Sequence, residues 1–197
     1  LKEGTNNMTI KNPVATAIDS SYIQYKRMGN ALKEASSMWA KVTHSEEKPI
    51  TYSICEWGMA RPYLWGAKAG SMWRTTPDIA PNWRSITMIY NRTLKLYKHS
   101  GPGHWNDPDM LEVGNGKLDD NENRAHFSLW CMLAAPLMLG NDIRSFVSNG
   151  MPDKDNETLK IVTNKHMIAV DQDSLGKSAK SCLLYTSPSP RDRTRSR

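Results

Sequence analysis

The chain has 197 residues and a formal charge of +6, with 39% hydrophobic and 23% charged residues. This composition is that of an ordinary globular protein of about one domain, which excludes a collagen-like or disordered chain. No apolar run approaches the roughly 18 residues that a membrane span needs, and the first residues show no signal-peptide pattern. We therefore expect no membrane span.

The last sixteen residues differ in character from the rest. Read as codons, the segment Cys182–Asp192 matches a sequencing-library adapter, and no hydrophobic periodicity continues into it. We predict that 1–181 is natural sequence cut at a read boundary and that 182–197 is translated adapter; the alternative is a native basic tail rich in Ser and Pro. The tail holds four arginines against one aspartate, which accounts for +3 of the +6. The remaining charge is too small to predict a nucleic acid or an anionic membrane as partner.

Hydrophobic spacing predicts helices and strands that alternate along the chain. Apolar residues recur at intervals of three and four over 25–39, which is typical of an amphipathic helix, with Ser20 or Ser21 as its N-cap. The later elements are predicted in this order: strands at 50–55 and 71–75, a helix at 82–97, a strand at 110–113, a helix from Asp119 and Asp120 to 135, a strand at 137–140 and a helix at 156–161. This alternation indicates parallel β-α-β units, too few to close a barrel of about eight strands. The sequence therefore predicts an α/β fold, either an open doubly wound sheet or half of a barrel.

Polar and aromatic residues crowd around the ends of the predicted strands. The carboxylates are Glu56, Asp78, Asp107 and Asp109, and the indoles are Trp57, Trp73 and Trp105. In a parallel α/β barrel such groups converge on one mouth. Carboxylates beside flat aromatic faces suit a sugar, because carboxylates accept its hydroxyl protons and indoles cover its C–H face. The alternative interpretation is that the aspartates cap loops and helices and that the tryptophans are core residues.

Other chemistry has weaker support in the sequence. The five histidines are scattered without metal-ligand spacing, and the chain has neither a glycine-rich phosphate loop nor a Gly-x-Ser-x-Gly motif. Cys55 lies in an apolar strand, so we expect it to be packed rather than reactive, and its pairing with Cys131 stays open. Asn-x-Ser/Thr triplets at Asn7, Asn91 and Asn156 are compatible with passage through a secretory pathway.

Five segments of the chain resemble the eukaryotic-type α-galactosidases of glycoside hydrolase family twenty-seven. They are Tyr52–Gly58, Ser71–Ile79, Gly101–Gly114 with its Trp-Asn-Asp-Pro-Asp-Met run, Ala134–Arg144 and Ile168–Asp173. The resemblance implies the C-terminal half of a (β/α)8 barrel, roughly strands five to eight, truncated at both ends. It also implies retaining hydrolysis of terminal α-D-galactose from oligosaccharides, glycolipids or glycoproteins, without a metal or organic cofactor. The protein is then expected to be secreted or lysosomal or vacuolar, and a homodimer is compatible with this assignment.

The resemblance also assigns roles to individual residues. Asp78 matches the catalytic acid/base, Arg74 and Asp109 match groups that bind the sugar, and Glu56 matches an acceptor for its 2-hydroxyl. Trp57 and Met110 are further substrate-binding positions.

The nucleophile of this family is an aspartate in a Lys-x-Asp-x-Cys segment, and here the sequence departs from the pattern. Lys2 is present, but Gly4 stands where the aspartate would be and no cysteine follows. We expect the nucleophile to precede Leu1, and residues 1–197 alone to be inactive. A true loss, which would leave a non-catalytic sugar-binding relative, is the alternative. An α-N-acetylgalactosaminidase is a further alternative, but relatives with that activity tend to carry a small residue at the position of Glu56.

Overall fold

A computed structural model describes residues 13–180 of the chain, with side chains from Ser20 onward. In chain order the elements are α1 (Pro13–Thr43), β1 (Ser53–Ile54), β2 (Met72–Arg74), α2 (Trp83–Thr93), β3 (Trp105–Asp107), α3 (Asp120–Met132), β4 (Val147–Ser148), β5 (Met151–Pro152), α4 (Glu157–Val162) and α5 (Lys165–Asp171). Short 3-10 helices lie at Pro62–Leu64, Gly66–Lys68, Leu94–His99 and Ile143–Phe146. None of the helices in this described range is both long and apolar enough to cross a bilayer.

Strands β1, β2 and β3 form a parallel sheet in that order; two 3-10 helices separate β1 from β2, and α2 separates β2 from β3. The prediction of parallel α/β structure is therefore confirmed. Strands β4 and β5 form a separate antiparallel hairpin.

Two strand predictions are wrong in their extent. The predicted strands at 110–113 and 137–140 meet only in one parallel bridge between Leu111 and Leu139. The third strand instead precedes them, at β3. The reason is local: Asp109 has a φ of 88°, which ends the extended chain just before Met110, and the Met138 amide donates back to the Pro136 carbonyl at 3.0 Å instead of to a neighbouring strand.

The outer face of the sheet is buried against helices. Ile54, Trp73 and Asn106 stand side by side in register on this face. The Trp73 indole N–H donates to Asn106 Oδ1 at 2.9 Å. Trp65 joins this cluster, and Tyr25 of α1 stacks on Trp65 with ring centroids 5.8 Å apart.

Helix α1 contacts this layer through Tyr25 and through small residues, and only part of the predicted apolar stripe faces it. Gly29, Ser36 and Ala40 are buried, whereas Met28 and Trp39 are exposed. A Cβ at Gly29 would lie 2.0 Å from the Ala69 carbonyl oxygen, so the helix approaches the sheet side more closely than a larger residue would permit.

A second core joins α2, α3 and α4. Its buried members are Ile79, Ile86, Ile89, Leu111, Val113, Phe127, Trp130, Cys131, Leu133, Ala135 and Ile161. His126 is buried beside them, and its Nε2 accepts a hydrogen bond from the Glu112 amide at 2.9 Å. Burial lowers the pKa of His126 to about 4, so this ring is neutral and ties α3 to the segment after β3.

The predicted helix starts are confirmed where a side chain caps them. Asn82 caps α2, Asp119 caps α3 in a reciprocal capping box with Glu122, and Asn156 caps α4. The Ser20 and Ser21 prediction is wrong, because α1 begins at Pro13. Helix α5 was not predicted; it is two turns long and Asn164 caps it.

Cys55 and Cys131, the two cysteines in the described range, are free thiols. Cys131 is buried, and burial raises its pKa to about 12. Cys55 is exposed, which corrects the expectation that it is packed in an apolar strand. The reason is that β1 has only one covered face, and Cys55 follows the buried Ile54.

Candidate active site

The candidate site lies where β2 and β3 end. Arg74 is the last residue of β2 and Asp107 the last of β3, and the two are paired in the sheet register. They share the face opposite Trp73 and Asn106, because successive residues of a strand point to opposite sides. Both are nevertheless buried, at 8% and 6% exposure.

Arg74 holds two of the predicted site carboxylates. Its Nη2 lies 2.5 Å from Asp109 Oδ2 and 3.2 Å from Asp78 Oδ1. The side chain of Asp109 is 13% exposed, whereas that of Asp78 is 69% exposed. The guanidinium thus joins a buried carboxylate on one side to a solvent-facing carboxylate on the other.

The Arg74 guanidinium has one buried donor that is unpaired within the described residues. Its Nη2 also donates to the Thr76 carbonyl at 3.2 Å. Its Nε is buried and has no hydrogen-bond partner among the described residues. A buried unpaired N–H is costly, so this atom is well suited to a ligand oxygen.

Asp109 is tied into the protein at every polar atom. One carboxylate oxygen accepts from the Ile79 amide and the other from the Met110 amide, both at 2.8 Å. Its carbonyl accepts from the Trp130 indole N–H at 2.8 Å. Its own amide donates to Asp107 Oδ1 at 2.8 Å. These bonds hold Asp109 at a φ of 88°, a region that residues other than glycine rarely adopt.

Burial and the neighbouring charges have opposing effects on the pKa of the Asp107 carboxyl. Burial raises the pKa of its carboxyl, and the Asp109 amide and the Arg74 guanidinium partly oppose that rise. Burial therefore favours the neutral form of the Asp107 carboxyl, whereas the hydrogen bond and the nearby cation favour its charged form.

Glu56 lies in the loop after β1, beside the Arg74 strand end. The loop comes close because Gly58, at a φ of 75°, lies against the Thr75 carbonyl; a Cβ there would be 2.2 Å from that oxygen. Both Glu56 carboxylate oxygens accept from the Ala60 amide, at 2.7 and 2.8 Å. Burial raises the pKa of Glu56, against the effect of these bonds. Within the part of the chain that the structure describes, no hydrogen bond or ion pair joins Glu56 to Arg74, Asp78 or Asp109.

Not all of the tryptophans predicted to line the site lie there. Trp57 is exposed with a φ of 57°, and Met110 is exposed beside Asp109. The prediction that Trp73 lines the site is wrong, because Trp73 is fully buried on the opposite face of the sheet, where it packs against helices. The prediction that Trp105 lines the site is also wrong. Trp105 begins β3 and lines a cavity with Thr51 and Met72 at the amino ends of the strands.

The arrangement suits proton transfer beside a fixed positive charge. Asp78 is accessible to a ligand and is held by Arg74, which is itself fixed by Asp109. Sequence reasoning found these three residues but missed the Trp130 bond to the Asp109 carbonyl, for which the sequence carries no local signal. Across residues 13–180, no group of three or more His, Cys, Asp or Glu is placed to hold a metal ion.

Comparison with known proteins adds to this geometry. The sequence profile of the alpha galactosidase A family matches residues 15–173. The α-galactosidase of Cyamopsis tetragonoloba is 42% identical over 162 residues, which are 81% of this chain and 38% of that protein. The α-galactosidase of Oryza sativa subsp. japonica is 43% identical over 157 residues, which are 80% of this chain and 33% of that protein.

Solved structures agree with the sequence matches. α-Galactosidase I from Mortierella vinacea matches with a TM-score of 0.68 and 32% identity, over 83% of this chain and 41% of that one. A β-L-arabinopyranosidase from Geobacillus stearothermophilus matches with a TM-score of 0.54 and 26% identity, over 71% of this chain and 34% of that one. The chain thus spans about a third to two fifths of the length of these relatives. The profile match over most of its residues, together with the two plant relatives, shows that this chain belongs to the alpha galactosidase A family.

Proposed function

We propose that the chain is part of a retaining α-galactosidase that removes terminal α-D-galactose from oligosaccharides, glycolipids or glycoproteins. The observation that carries the proposal is the Arg74 guanidinium, paired with Asp78 and Asp109 at the carboxyl ends of parallel strands. Membership of the alpha galactosidase A family supports it. Because the chain spans well under half of its relatives, this activity is proposed for the whole protein.

Asp78 is the proposed general acid and base. A retaining enzyme uses two carboxyl groups about 5–5.5 Å apart, one to attack the anomeric carbon and one to protonate the leaving oxygen. The exposure of Asp78 supports the second role, because a leaving group can reach it. In the next step the same carboxylate takes a proton from water. The attacking aspartate is proposed to come from sequence that precedes Leu1.

Arg74 and Asp109 are proposed to bind the sugar, with Met110 and Trp57 beside them. The unpaired Arg74 Nε offers a donor for a hydroxyl oxygen. Glu56 is proposed to accept the 2-hydroxyl proton. Its oxygens already accept from the Ala60 amide, but a carboxylate has lone pairs for a second donor.

We also propose that residues 1–181 are half of a catalytic barrel, roughly strands five to eight. Support comes from the sheet, whose outer face is covered by helices while Ser53 and Cys55, on its other face, are exposed. The predicted adapter at 182–197 and the position of Gly4 lie outside the described residues. A barrel completed by further strands would cover the open face.

Secretion, or delivery to a lysosome or vacuole, is proposed for the whole protein. The Asn91 side chain is exposed near the end of α2 and is open to a glycan, whereas Asn156 is engaged in capping α4. Expression in a eukaryotic secretory host, followed by peptide mapping, would test this. A glycan at Asn91 is expected, and a protein that stays inside the cells with Asn91 unmodified would argue against the proposal. We also propose that the full-length protein is a homodimer, which sedimentation would test.

The test of function uses a full-length chimera. Residues 15–173 replace the matched segment of the Cyamopsis tetragonoloba enzyme, which supplies the rest of the fold. The unmutated chimera is expected to hydrolyse α-galactosides. Asp78→Ala should lower turnover of a natural α-galactoside by about 10²–10⁴-fold, the usual range for acid–base assistance.

A nitrophenyl α-galactoside separates the two steps. Nitrophenolate leaves without a proton, so the first step should be nearly spared in Asp78→Ala and a burst of nitrophenol should precede slow deglycosylation. The matched control is Asp78→Asn, which keeps the shape but cannot donate or accept the catalytic proton. Equal loss on both substrates without a burst, in both variants, would show that Asp78 is not the acid/base.

A further inference from the structure

The site contains a residue in an unfavourable backbone conformation, and its neighbour holds it there. Asp109 has a φ of 88°, although it carries a side chain. Such a conformation persists only where the surroundings impose it. The amide of Asp109 donates to Asp107 Oδ1 at 2.8 Å, which closes a tight turn through Pro108.

Asp107 is a rigid anchor for this turn. It ends β3, and its carbonyl accepts from the Thr75 amide at 2.9 Å, next to Arg74. It is only 6% exposed, so its carboxylate has little freedom to move away. On the other side of the turn, Trp130 fixes the Asp109 carbonyl.

The turn decides where the Asp109 carboxylate points. From this conformation one of its oxygens receives both Arg74 Nη2 and the Ile79 amide. Arg74 in turn lies 3.2 Å from the Asp78 carboxylate. A chain of direct contacts therefore runs from Asp107 through Asp109 and Arg74 to Asp78.

We propose that Asp107 is a positioning residue of the active site: its side-chain acceptor holds Asp109 in the left-handed conformation that fixes Arg74 for sugar binding. Asp107 acts through Asp109 and does not itself contact the substrate. The inference rests on the proposed function, because Arg74, Asp78 and Asp109 are the groups that it positions.

The test compares three variants of the Cyamopsis chimera. Asp107→Ala removes the acceptor, and KM for a nitrophenyl α-galactoside should rise about tenfold or more, with a smaller fall in kcat. Asp107→Asn keeps an acceptor oxygen without the charge, and KM should stay within about threefold of the unmutated value. Asn106→Ala is the matched control: it removes a buried hydrogen-bonding side chain one residue away on the outer face, and should lower Tm without raising KM.

The outcomes separate the alternatives. If Asp107→Ala lowers Tm but leaves KM unchanged, as Asn106→Ala should, the role of Asp107 is structural and the proposal is wrong. If Asp107→Asn impairs KM as much as Asp107→Ala, charge rather than the acceptor matters, and the proposal is also wrong.

Crystal structures of the variants decide the point without activity. In Asp107→Asn the new amide oxygen should accept from the Asp109 amide, with φ still positive. In Asp107→Ala, Asp109 should leave the left-handed region and separate from Arg74. A positive φ at Asp109 in Asp107→Asn without that hydrogen bond would overturn the proposal even if Asp107→Ala does not fold. An inactive unmutated chimera would count against the proposed function alone, because these structures would still test the positioning role.

Discussion

The two faces of the three-stranded sheet are built from neighbouring residues with opposite tasks. On the outer face, Trp73 and Asn106 are buried under helices and hydrogen-bonded to each other. On the other face, Arg74 and Asp107 stand at the same two strand ends and join a cluster of carboxylates. One residue along the strand therefore separates a packing role from a chemical one. Removing a residue from the first face should cost stability at every pH, whereas on the second the cost should depend on charge.

Substitution of two adjacent residues of β2 tests the difference between the two faces most directly. Trp73→Ala in the chimera should lower the free energy of unfolding by about 3–5 kcal/mol, because it leaves a cavity in the core. Arg74→Met should cost about as much near neutral pH, since it leaves the buried Asp109 carboxylate without its partner. The Arg74→Met cost should shrink as pH falls, because Asp107 loses the guanidinium that opposes the rise in its pKa and therefore takes up a proton more readily in the folded state.

Urea unfolding at about pH 4 and about pH 8 distinguishes the two effects. Trp73→Phe is the control for the aromatic site, because it keeps an aromatic ring and most of the volume but loses the N–H bond to Asn106. If the costs of Trp73→Ala and Arg74→Met change with pH in the same way, the two faces do not differ as described.

The next prediction concerns the buried carboxyl of Asp171, which lies at the amino ends of the strands. Asp171 is buried beside a cavity of about 490 Å³ that Met72 and Trp105 also line. Its Oδ1 has no partner among the described residues. Burial raises its pKa from 3.8 to about 6. The folded state thus binds this proton more tightly than the unfolded chain, so stability falls as pH rises from about 4 through about 6, by about 3 kcal/mol.

Asp171→Asn should abolish that pH dependence and stabilise the chimera above about pH 6, as measured by urea unfolding across the range. Asp173→Asn is the matched control, because Asp173 is an exposed aspartate two residues away. If both variants change the pH profile equally, burial of Asp171 is not the cause.

Substitution of Glu56 tests whether the loop after β1 sets the preference between galactosides and N-acetylgalactosaminides. Glu56→Ser removes an acceptor and opens space beside the sugar 2-hydroxyl. Galactoside binding should weaken by about 1–3 kcal/mol, the cost of a lost buried hydrogen bond, while N-acetylgalactosaminide turnover rises. Glu56→Gln keeps an acceptor for the Ala60 amide and controls for loop structure. Equal losses on both substrates would make Glu56 a structural residue of the loop.

The smallest effect concerns the tail. If packing on the outer face provides the stability and residues 182–197 are translated adapter, their deletion should change the free energy of unfolding by less than about 0.5 kcal/mol. Urea unfolding of residues 1–197 against residues 1–181 measures this. The codons of the tail in the genomic DNA of the source organism would contradict the adapter interpretation.

Several elements were predictable because their causes are local. Asn82, Asp119 and Asn156 are strong N-caps directly before helical periodicity, and each begins the predicted helix. The strand at 71–75 was equally clear from its composition. The third strand was misplaced because the polar run at Trp105–Asp107 does not show strand periodicity; only pairing with β2 makes it extended.

The site divides in the same way. The sequence by itself determined the residue types: an arginine four residues before an aspartate, and two aspartates around a proline, in a run specific enough to indicate the family. Only the tertiary structure decided that Trp73 and Trp105 leave the site, that Cys55 is exposed and that Asp109 is the partner that fixes Arg74. The physical reason is that caps and motifs depend on a few neighbouring residues. Whether a side chain is buried, which face of the sheet it joins and which group it pairs with all depend on elements that pack against it. Those elements lie thirty residues or more away along the chain.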